Sequence, residues 1–217
     1  LIINNRYYKN ILPNKILKYC LGSKCVTKVA NIKKLDTKNI KRTLYYAEMN
    51  NLNFNSEYVY NIGAIPKYYK YKTIRRNQGI NDTLNIAIYG DFGLANPESL
   101  KQLKIDLNKS LYEIVLHVGD FAYDLNSNDG KVGDNFMNMI QPISSRVPYM
   151  TCPGNHESSE NFTQYKLRYN MPGKQSGSNN NLYYSYDIGN IHFIGISTEL
   201  YYYDNYYNNN NLIRQYN

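Results

Sequence analysis

Three short glycine-containing motifs place oxygen donors at intervals along the second half of this chain. GDFG contains Asp91, GDFAYD contains Asp120 and Tyr123, and GNHE contains Asn155 and His156. Carboxylate, phenolate and amide oxygens are ligands that hard metal ions accept, and a single carboxylate can bridge two ions. The motifs therefore predict a site for hard divalent or trivalent cations.

Each motif directly follows a short apolar segment that indicates a buried β-strand. These segments are Leu84 to Tyr89, Glu113 to Val118 and Val147 to Cys152. In open α/β sheets, ligands bind beyond the carboxyl ends of the strands. We therefore expect the three motifs to meet at one edge of a sheet.

Two amphipathic helices are predicted between these strands. Asn96 is predicted to cap the first helix, with Pro97 at its first position and an apolar face of leucines at 100, 103 and 107. The second covers residues 134–145, with its apolar face at Phe136, Met139, Ile140 and Ile143. A hairpin across Gly189-Asn190 is expected to follow. Alternating strands and helices predict an α/β domain with a largely parallel sheet.

Each motif is weak when it is taken alone. An Asp after a strand is more often part of a turn or a helix cap than a metal ligand. A single histidine such as His156 is more often a satisfied surface or core residue. The order of the three motifs, each with a suitable donor at a strand end, favours the metal site over these explanations.

GDFG, GDFAYD and GNHE, in this order and spacing, resemble the first three signature blocks of the purple acid phosphatases. That group belongs to the calcineurin-like metallophosphoesterases, whose wider superfamily opens with D-x-H. A first block without His and a second block with Tyr123 are similar to the purple group in particular. Further similarity lies in residues 161–173, 181–187 and 190–199, so the resemblance covers nearly the whole chain.

The resemblance implies an acid phosphatase that hydrolyses phosphate monoesters with a dinuclear Fe(III)–M(II) centre and a metal-activated hydroxide. It implies that Asp91 binds the ferric ion, that Asp120 bridges both ions and that Tyr123 ligates the iron. Asn155 would bind the second, divalent ion, which is Fe, Zn or Mn. His156 would contact the substrate phosphate and help to protonate the leaving alcohol.

The first part of the chain differs in charge and pattern from the part with the motifs. Residues 1–80 hold 16 Lys and Arg but only 3 Asp and Glu, and their short strand-like segments predict an all-β module. Residues 46–63 resemble the end of the fibronectin type III-like sandwich of the same family. We therefore expect an incomplete sandwich over 1–76, a linker over 77–83, and the front of an αββα metallophosphoesterase domain over 84–217.

Cysteines and sequons give only weak indications of compartment. Cys20 and Cys25 are close enough to form a disulfide within a short hairpin, which suits an oxidising compartment, while Cys152 is expected to be a buried thiol. The sequons at Asn81, Asn108 and Asn161 number about as many as chance predicts for so many Asn residues, so glycosylation is left open. The resemblance implies a secreted or vacuolar/lysosomal protein.

Histidine content departs from the family. The chain has 3 His, none beyond His192, whereas the family completes its site with histidines from V-x-x-H and G-H-x-H blocks. His117 and His192 are expected to be structural residues in buried strands. We expect an internal fragment or a truncated gene model, with weak dinuclear metal loading and little turnover when expressed alone.

Two other functions compete with this one. A phosphodiesterase or nucleotide hydrolase would keep the superfamily, but Tyr123 argues against it because a tyrosinate–iron pair marks the purple group. A non-catalytic relic joined to an adhesion-type β module is a different class, and the intact motif residues argue against decay. A kinase interpretation of GDFG fails, because the required H-R-D block does not precede it.

Partners follow from charge and hydropathy as well as from the resemblance. The net charge of +8 does not indicate a nucleic-acid partner, because the basic part shows no nucleic-acid-binding signature. No apolar run approaches the about 20 residues of a membrane-spanning helix. Small phosphomonoesters are the expected substrates, and a homodimer is left open.

Overall fold

The chain is described from a computed structural model, which covers residues 15–63, 65–76, 82–178, 180–207 and 215. Its strands are β1 Ile16–Leu21, β2 Lys24–Val29, β3 Asn31–Asp36, β4 Lys41–Tyr46, β5 Glu57–Ile62, β6 Tyr68–Lys72, β7 Ile86–Tyr89, β8 Ile114–Val118, β9 Tyr149–Cys152, β10 Tyr184–Ile188 and β11 Ile191–Gly195. Its helices are α1 Leu100–Asn108, α2 Lys131–Ser144, α3 Ser159–Arg168 and α4 Leu200–Tyr207, with a 3₁₀ turn at Asn155–Glu157. In this part of the chain, no helix is long and apolar enough to cross a membrane.

The first part of the chain is all β, as its pattern predicts. Four antiparallel strands pair in the order β2-β1-β5-β6, and β3 pairs with β4 in a separate hairpin. Side chains alternate between the two faces of a strand, so that in β6 Tyr69 and Tyr71 are buried while Lys70 and Lys72 are exposed. The alternation of Tyr and Lys in the sequence is therefore the alternation of a core face and a solvent face.

The cysteines of the first hairpin are bonded to each other. Cys20 in β1 lies opposite Cys25 in β2, and the two form a disulfide. This pairing confirms the prediction from their spacing. Cys152 is a free thiol that is only partly buried, and burial raises its pKa.

The second part contains the parallel sheet that the sequence predicts, in the order β7-β8-β9. On one face of β8, Val115 and His117 are fully buried among side chains of α1 and α2. On the opposite face, Ile88 of β7 is 63% exposed and Val118 of β8 is 53% exposed. Of the expected αββα sandwich, the described residues thus provide the sheet and the helices on one side of it.

Several expected boundaries are displaced. Helix α1 begins at Leu100, and Asn96 is not its cap: Asn96 and Pro97 form a preceding turn, in which the N–H of Leu100 donates to the Pro97 carbonyl at 3.0 Å. Proline has a fixed φ and no backbone N–H, so the Asn96-Pro97 pair is as compatible with a tight turn as with the first residues of a helix.

Helix α2 starts three residues earlier than expected, at Lys131. Residues 77–81 of the expected linker lie outside the described residues, and the domain boundaries stay predictions.

The two histidines of the later strands have opposite environments. His117 is fully buried, as expected, and its ring lies among the rings of Tyr89, Phe121 and Tyr149. The expectation of a buried His192 is wrong: it is exposed on the β10–β11 hairpin, with Nδ1 2.6 Å from Asp187 Oδ1. A two-stranded hairpin exposes one face, and His192 is on that face.

A buried ion-pair network joins the β3–β4 hairpin to the helices. Asp134 in α2 accepts from Arg42 Nε of β4 at 2.9 Å and from Arg168 Nη1 of α3 at 2.8 Å. The side chains of Asp134 and Arg168 are 6% and 2% exposed. Arg168 is held further by the Gln164 side chain and the Gly130 carbonyl. The network therefore connects the all-β part to the α/β part through one carboxylate.

Replacing this carboxylate should be costly. Asp134→Asn leaves the buried Arg168 without its counter-charge, and we expect a loss of about 3–5 kcal/mol in the free energy of unfolding. Urea denaturation would measure it. The matched control is Glu57→Gln, whose exposed pair with Lys70 should change the free energy by less than about 1 kcal/mol. Equal effects of the two variants would contradict the structural role of Asp134.

Buried His117 should make the fold sensitive to acid. Burial lowers its pKa from 6.5 to about 3, and its Nε2 has no hydrogen-bond partner among the described residues. Between these pH values the unfolded chain binds a proton that the folded chain does not. Stability attributable to His117 is therefore complete above pH 6.5 and falls by about 1.4 kcal/mol per pH unit as the pH drops towards 3.

We expect His117→Gln to flatten the dependence of unfolding free energy on pH between 6.5 and 4.5. Glutamine does not titrate, and its amide can replace the contact between His117 Nδ1 and the Tyr149 hydroxyl, which lie 2.7 Å apart. Denaturant titrations at several pH values measure the slope. The same substitution at exposed His192 serves as the control and should leave the His117 contribution unchanged. A wild-type slope in His117→Gln would show that the acid sensitivity has another source.

Candidate metal centre

Backbone pairing joins the first two motif loops beyond the ends of their strands. The amides of residues 91–93 donate to the carbonyls of Gly119, Asp120 and Phe121, at 3.3, 3.1 and 2.9 Å respectively. Backbone contact between the two chain segments thus extends beyond β7 and β8 into the GDFG and GDFAYD loops. Asp91 and Asp120 are held side by side by this pairing.

A buried carboxylate, that of Glu157, joins the second loop to the third. Its Oε2 accepts the N–H groups of Asp120 and Gly154, each at 2.9 Å, and its Oε1 accepts the N–H of Phe121 at 3.1 Å. Burial raises the pKa of Glu157 to about 7, while the backbone donors act in the opposite direction by favouring the carboxylate. One side chain therefore fixes the loops that follow β8 and β9.

Two glycines allow these loops to approach each other. Gly119 has a φ of +79°, and a Cβ there would lie 2.8 Å from the Cα of Gly154. A Cβ on Gly154 would overlap Asp120 Oδ1. Both positions therefore require a residue without a side chain.

Tyr123 and Asp91 meet across the first two loops. The Tyr123 hydroxyl donates to Asp91 Oδ1 at 2.8 Å, and this hydrogen bond raises the pKa of Tyr123. Asp91, Asp120 and Tyr123 have φ values of 49°, 52° and 53°. Left-handed backbone is tolerated by Asp but uncommon for Tyr. Conformations of this kind concentrate at functional sites, where the surrounding structure maintains them.

His156 lies next to these groups. Its ring centroid is 4.5 Å from that of Tyr123, and its backbone N–H donates to Asp120 Oδ1 at 3.1 Å. Its Nδ1 is 3.0 Å from Asp124 Oδ1, a contact that raises the pKa of His156. The His156 imidazole is thus oriented by the Asp124 carboxylate, and its backbone is bonded to the Asp120 carboxylate.

Asn155 begins the 3₁₀ turn directly after β9 and is exposed. Its chain position places it at the same sheet edge, next to His156. Among the described residues, no group of three or more His, Cys, Asp and Glu side chains is arranged to hold a metal ion. Of the four expected ligands, only Asp91 and Asp120 are among these residue types, since Tyr123 offers a phenol oxygen and Asn155 an amide oxygen.

The donors present suit a hard cation. Adjacent oxygen ligands of an octahedral ion with bonds of 2.0–2.1 Å are separated by about 2.9 Å, and the Tyr123 hydroxyl and Asp91 Oδ1 are 2.8 Å apart. Asp91 and Tyr123 would therefore offer two oxygens to the same hard cation. Asp120 uses one oxygen for the His156 amide, and its second oxygen carries no hydrogen bond from the described part of the chain. These residues fit a metal ion.

Three further acidic side chains belong to this region and were not among the expected site residues. Glu157 and Asp124 lie inside the GNHE and GDFAYD motifs, so the motifs themselves were the available signal. Glu199 is partly buried, and its pKa is raised first by burial and then by the charge of Asp120. Glu199 ends the segment 190–199, and the resemblance of that segment to the family was the available signal.

The parallel sheet carries oxygen-donor loops at its carboxyl edge, and comparison with known proteins assigns the family. Residues 84–216 match the calcineurin-like phosphoesterase family, and the chain belongs to it. Within that family it is homologous to purple acid phosphatases, as the relatives below show.

The chain is 38% identical over 170 residues to acid phosphatase type 7 of Mus musculus, with 77% of this chain and 38% of that protein covered. It is 46% identical over 140 residues to acid phosphatase type 7 of Danio rerio, with 64% of this chain and 31% of that protein covered. The chain thus spans between three and four tenths of the length of these relatives.

A solved structure supports the fold. Purple acid phosphatase PPD1 from yellow lupin, Lupinus luteus, superposes with a TM-score of 0.64 at 22% identity, covering 82% of this chain and 39% of that one. At this identity the likeness concerns the fold alone. The expected metallophosphoesterase fold is therefore confirmed.

The Glu157 carboxylate gives a test of the loop geometry. In Glu157→Gln, the side-chain NH₂ would face backbone N–H groups that need an acceptor, so at least one buried donor loses its partner. We expect the free energy of unfolding to fall by about 2 kcal/mol or more. Hydrogen exchange followed by NMR should also become faster at the amides of Asp120, Phe121 and Gly154.

The control is Glu160→Gln, three residues away and exposed. It should leave both the unfolding free energy and the exchange of these three amides close to wild type. Unchanged exchange at these amides in Glu157→Gln would contradict the role of Glu157 as the link between the loops.

Proposed function

We propose that this chain carries the front part of the catalytic site of a purple acid phosphatase, which hydrolyses phosphate monoesters with two metal ions. The observation that carries the proposal is the contact between the Tyr123 hydroxyl and Asp91 Oδ1 at 2.8 Å. It pairs a phenol with a carboxylate where a ferric ion would need both. The named acid phosphatase relatives support the same reaction class.

In this proposal, Asp91 and Tyr123 would hold Fe(III), Asp120 would serve both ions, and Asn155 would hold the second, divalent ion, which would be Fe, Zn or Mn. When bound, the ions supply Lewis acidity that polarises the phosphate and activates water for in-line attack. The Glu157 carboxylate keeps the Asp120 and Asn155 loops at a fixed separation. Tyr123 has a left-handed backbone, and its hydroxyl donates to Asp91 of the GDFG loop.

His156 is proposed as the catalytic residue. Its Nδ1 is held by Asp124, and its ring lies against the Tyr123 ring. From there it can contact the substrate phosphate and give a proton to the leaving alcohol. General acid help of this kind contributes about 10²–10⁴-fold to a rate.

The remaining features of the proposal concern the whole protein. The β1–β6 region is proposed to be part of a fibronectin type III-like sandwich, and the Cys20–Cys25 disulfide supports a secreted or vacuolar/lysosomal location. The proposed substrates are small phosphomonoesters. A phosphodiesterase of the same family is the alternative, and the phenol at position 123 favours the monoesterase.

Iron binding tests the ligand assignment without requiring turnover. Titration of the purified chain with Fe(III) should produce a visible charge-transfer band, because tyrosinate donates electron density to ferric iron. Tyr123→Phe should lose the band, since it removes the phenolate. Tyr68→Phe is the control, because Tyr68 is 72% exposed in β6, and it should keep the band.

Two results would contradict the assignment. One is the absence of any charge-transfer band from wild type at saturating Fe(III), and the other is a band of full intensity in Tyr123→Phe. Substrate class is tested separately, by the ratio of the low initial rates expected of this chain on p-nitrophenyl phosphate and bis(p-nitrophenyl) phosphate. We expect the ratio to favour the monoester, and a ratio that favours the diester would support the alternative.

A further inference from the structure

A cavity of about 400 Å³ lies between the all-β part and the α/β part of the molecule. This volume is within the about 300–1,000 Å³ that is usual for small-molecule sites. One wall is formed by side chains of the first sheet and the other by side chains of α2, β9 and the segment after α3. Its lining is rich in aromatic rings and thioethers, including Tyr60, Tyr69, Tyr149, Tyr186, Met137 and Met150.

A second space of about 360 Å³ with a different lining lies next to the cavity. The two spaces share Glu48, Asn170, Met171 and Gln175 in their walls. The second space is bordered by three lysines, at positions 33, 166 and 174. With Glu48 as the one carboxylate among its lining residues, its side chains carry a formal charge of +2.

Lys33 has an unusual environment for an ammonium group. It is partly buried in β3, its Nζ lies 4.9 Å from the centroid of the Tyr46 ring, and it donates to Asn170 Oδ1 at 3.3 Å. Within the described residues, no carboxylate lies within ion-pair distance of Lys33. A partly desolvated cation whose partners are a neutral amide and a ring face is poorly compensated. An anion in the second space would supply the missing charge.

We propose that this composite cavity binds an aromatic organic anion, with its ring system between the tyrosines and its oxyanion on the lysines. Flat rings suit the ring-lined cavity, because aromatic pairs stack or meet edge to face and thioethers pack well on ring edges. Lysine ammonium groups make charge-assisted hydrogen bonds to oxyanions. The site uses none of the candidate metal ligands, and the proposal does not depend on the proposed function.

Binding of 2-naphthalenesulfonate to the 217-residue chain tests the proposal. This probe joins two fused rings to an oxyanion and contains no hydrolysable phosphate, and the chain has no Trp to interfere with naphthalene fluorescence. Fluorescence anisotropy should show saturable binding to one site. Methanesulfonate has only the anionic group, and 1-octanesulfonate has an alkyl chain. Each should compete with the probe at least tenfold more weakly than a non-fluorescent aromatic sulfonate does.

Substitutions locate the probe. Lys33→Met keeps the aliphatic stem on Tyr46 but removes the charge, and we expect at least fivefold weaker binding. Lys174→Met should weaken binding about threefold, and because Lys174 is exposed in a turn, it tests the site without disturbing packing. Lys34→Met is the matched control: Lys34 is exposed on the opposite face of β3, and its removal should leave the affinity within twofold of wild type.

Several outcomes would overturn the proposal. One is the absence of saturable binding. Another is wild-type affinity in both Lys33→Met and Lys174→Met. A third is equal competition by 1-octanesulfonate, which would assign the cavity to alkyl chains. The last is loss of binding in Asp91→Asn with retention in Lys33→Met, which would place the probe at the candidate metal centre.

Discussion

The candidate metal centre depends on one buried carboxylate that binds backbone and not metal. Glu157 accepts three N–H groups, from Asp120, Phe121 and Gly154, and so ties together two loops that come from different strands. Without an acceptor, these donors would be unsatisfied and partly buried, which is costly in a region with little water. Because Glu157 holds the two loops close together, there is no room for a Cβ at positions 119 and 154, and both are glycine.

A second constraint is the neutral, aromatic interior directly beneath those loops. His117 of β8 lies among aromatic rings and bonds to the Tyr149 hydroxyl, which in turn lies 2.9 Å from the Tyr89 hydroxyl. The carboxylates of Asp91 and Asp120 thus lie at the carboxyl edge of the sheet, while the contacts below them join an imidazole and two phenols. The buried pair of Asp134 and Arg168 lies between α2 and α3. A low-dielectric base below a polar rim strengthens electrostatic interactions at the rim. The same arrangement makes the fold lose stability in acid.

The sequence predicted the part of the structure that is local. Strand-ending motifs, the helix between β8 and β9, the β10–β11 hairpin and the Cys20–Cys25 pair all follow from periodicity, turn residues or spacing. The predicted start of α1 was wrong because the Asn96-Pro97 pair is as compatible with a turn as with a helix cap. The prediction that His192 is buried was wrong because an apolar strand pattern does not reveal which face of the strand is covered. The cavity between the two parts arises from tertiary packing, for which no short-range pattern exists.

The all-β part also bears on the site, although it contributes none of the proposed ligands. Arg42 of β4 and Arg168 of α3 share the Asp134 carboxylate, at the start of the helix that follows the GDFAYD loop. Gly133 N–H donates to the Leu125 carbonyl, and a Cβ at Gly133 would lie 2.8 Å from the guanidinium of Arg168, so this helix start and the loop before it are packed as one unit. Movement of the β3–β4 hairpin would expose Asp134 and Arg168 and loosen that unit. The β3–β4 hairpin therefore helps to hold the loop that carries Asp120 and Tyr123 in position.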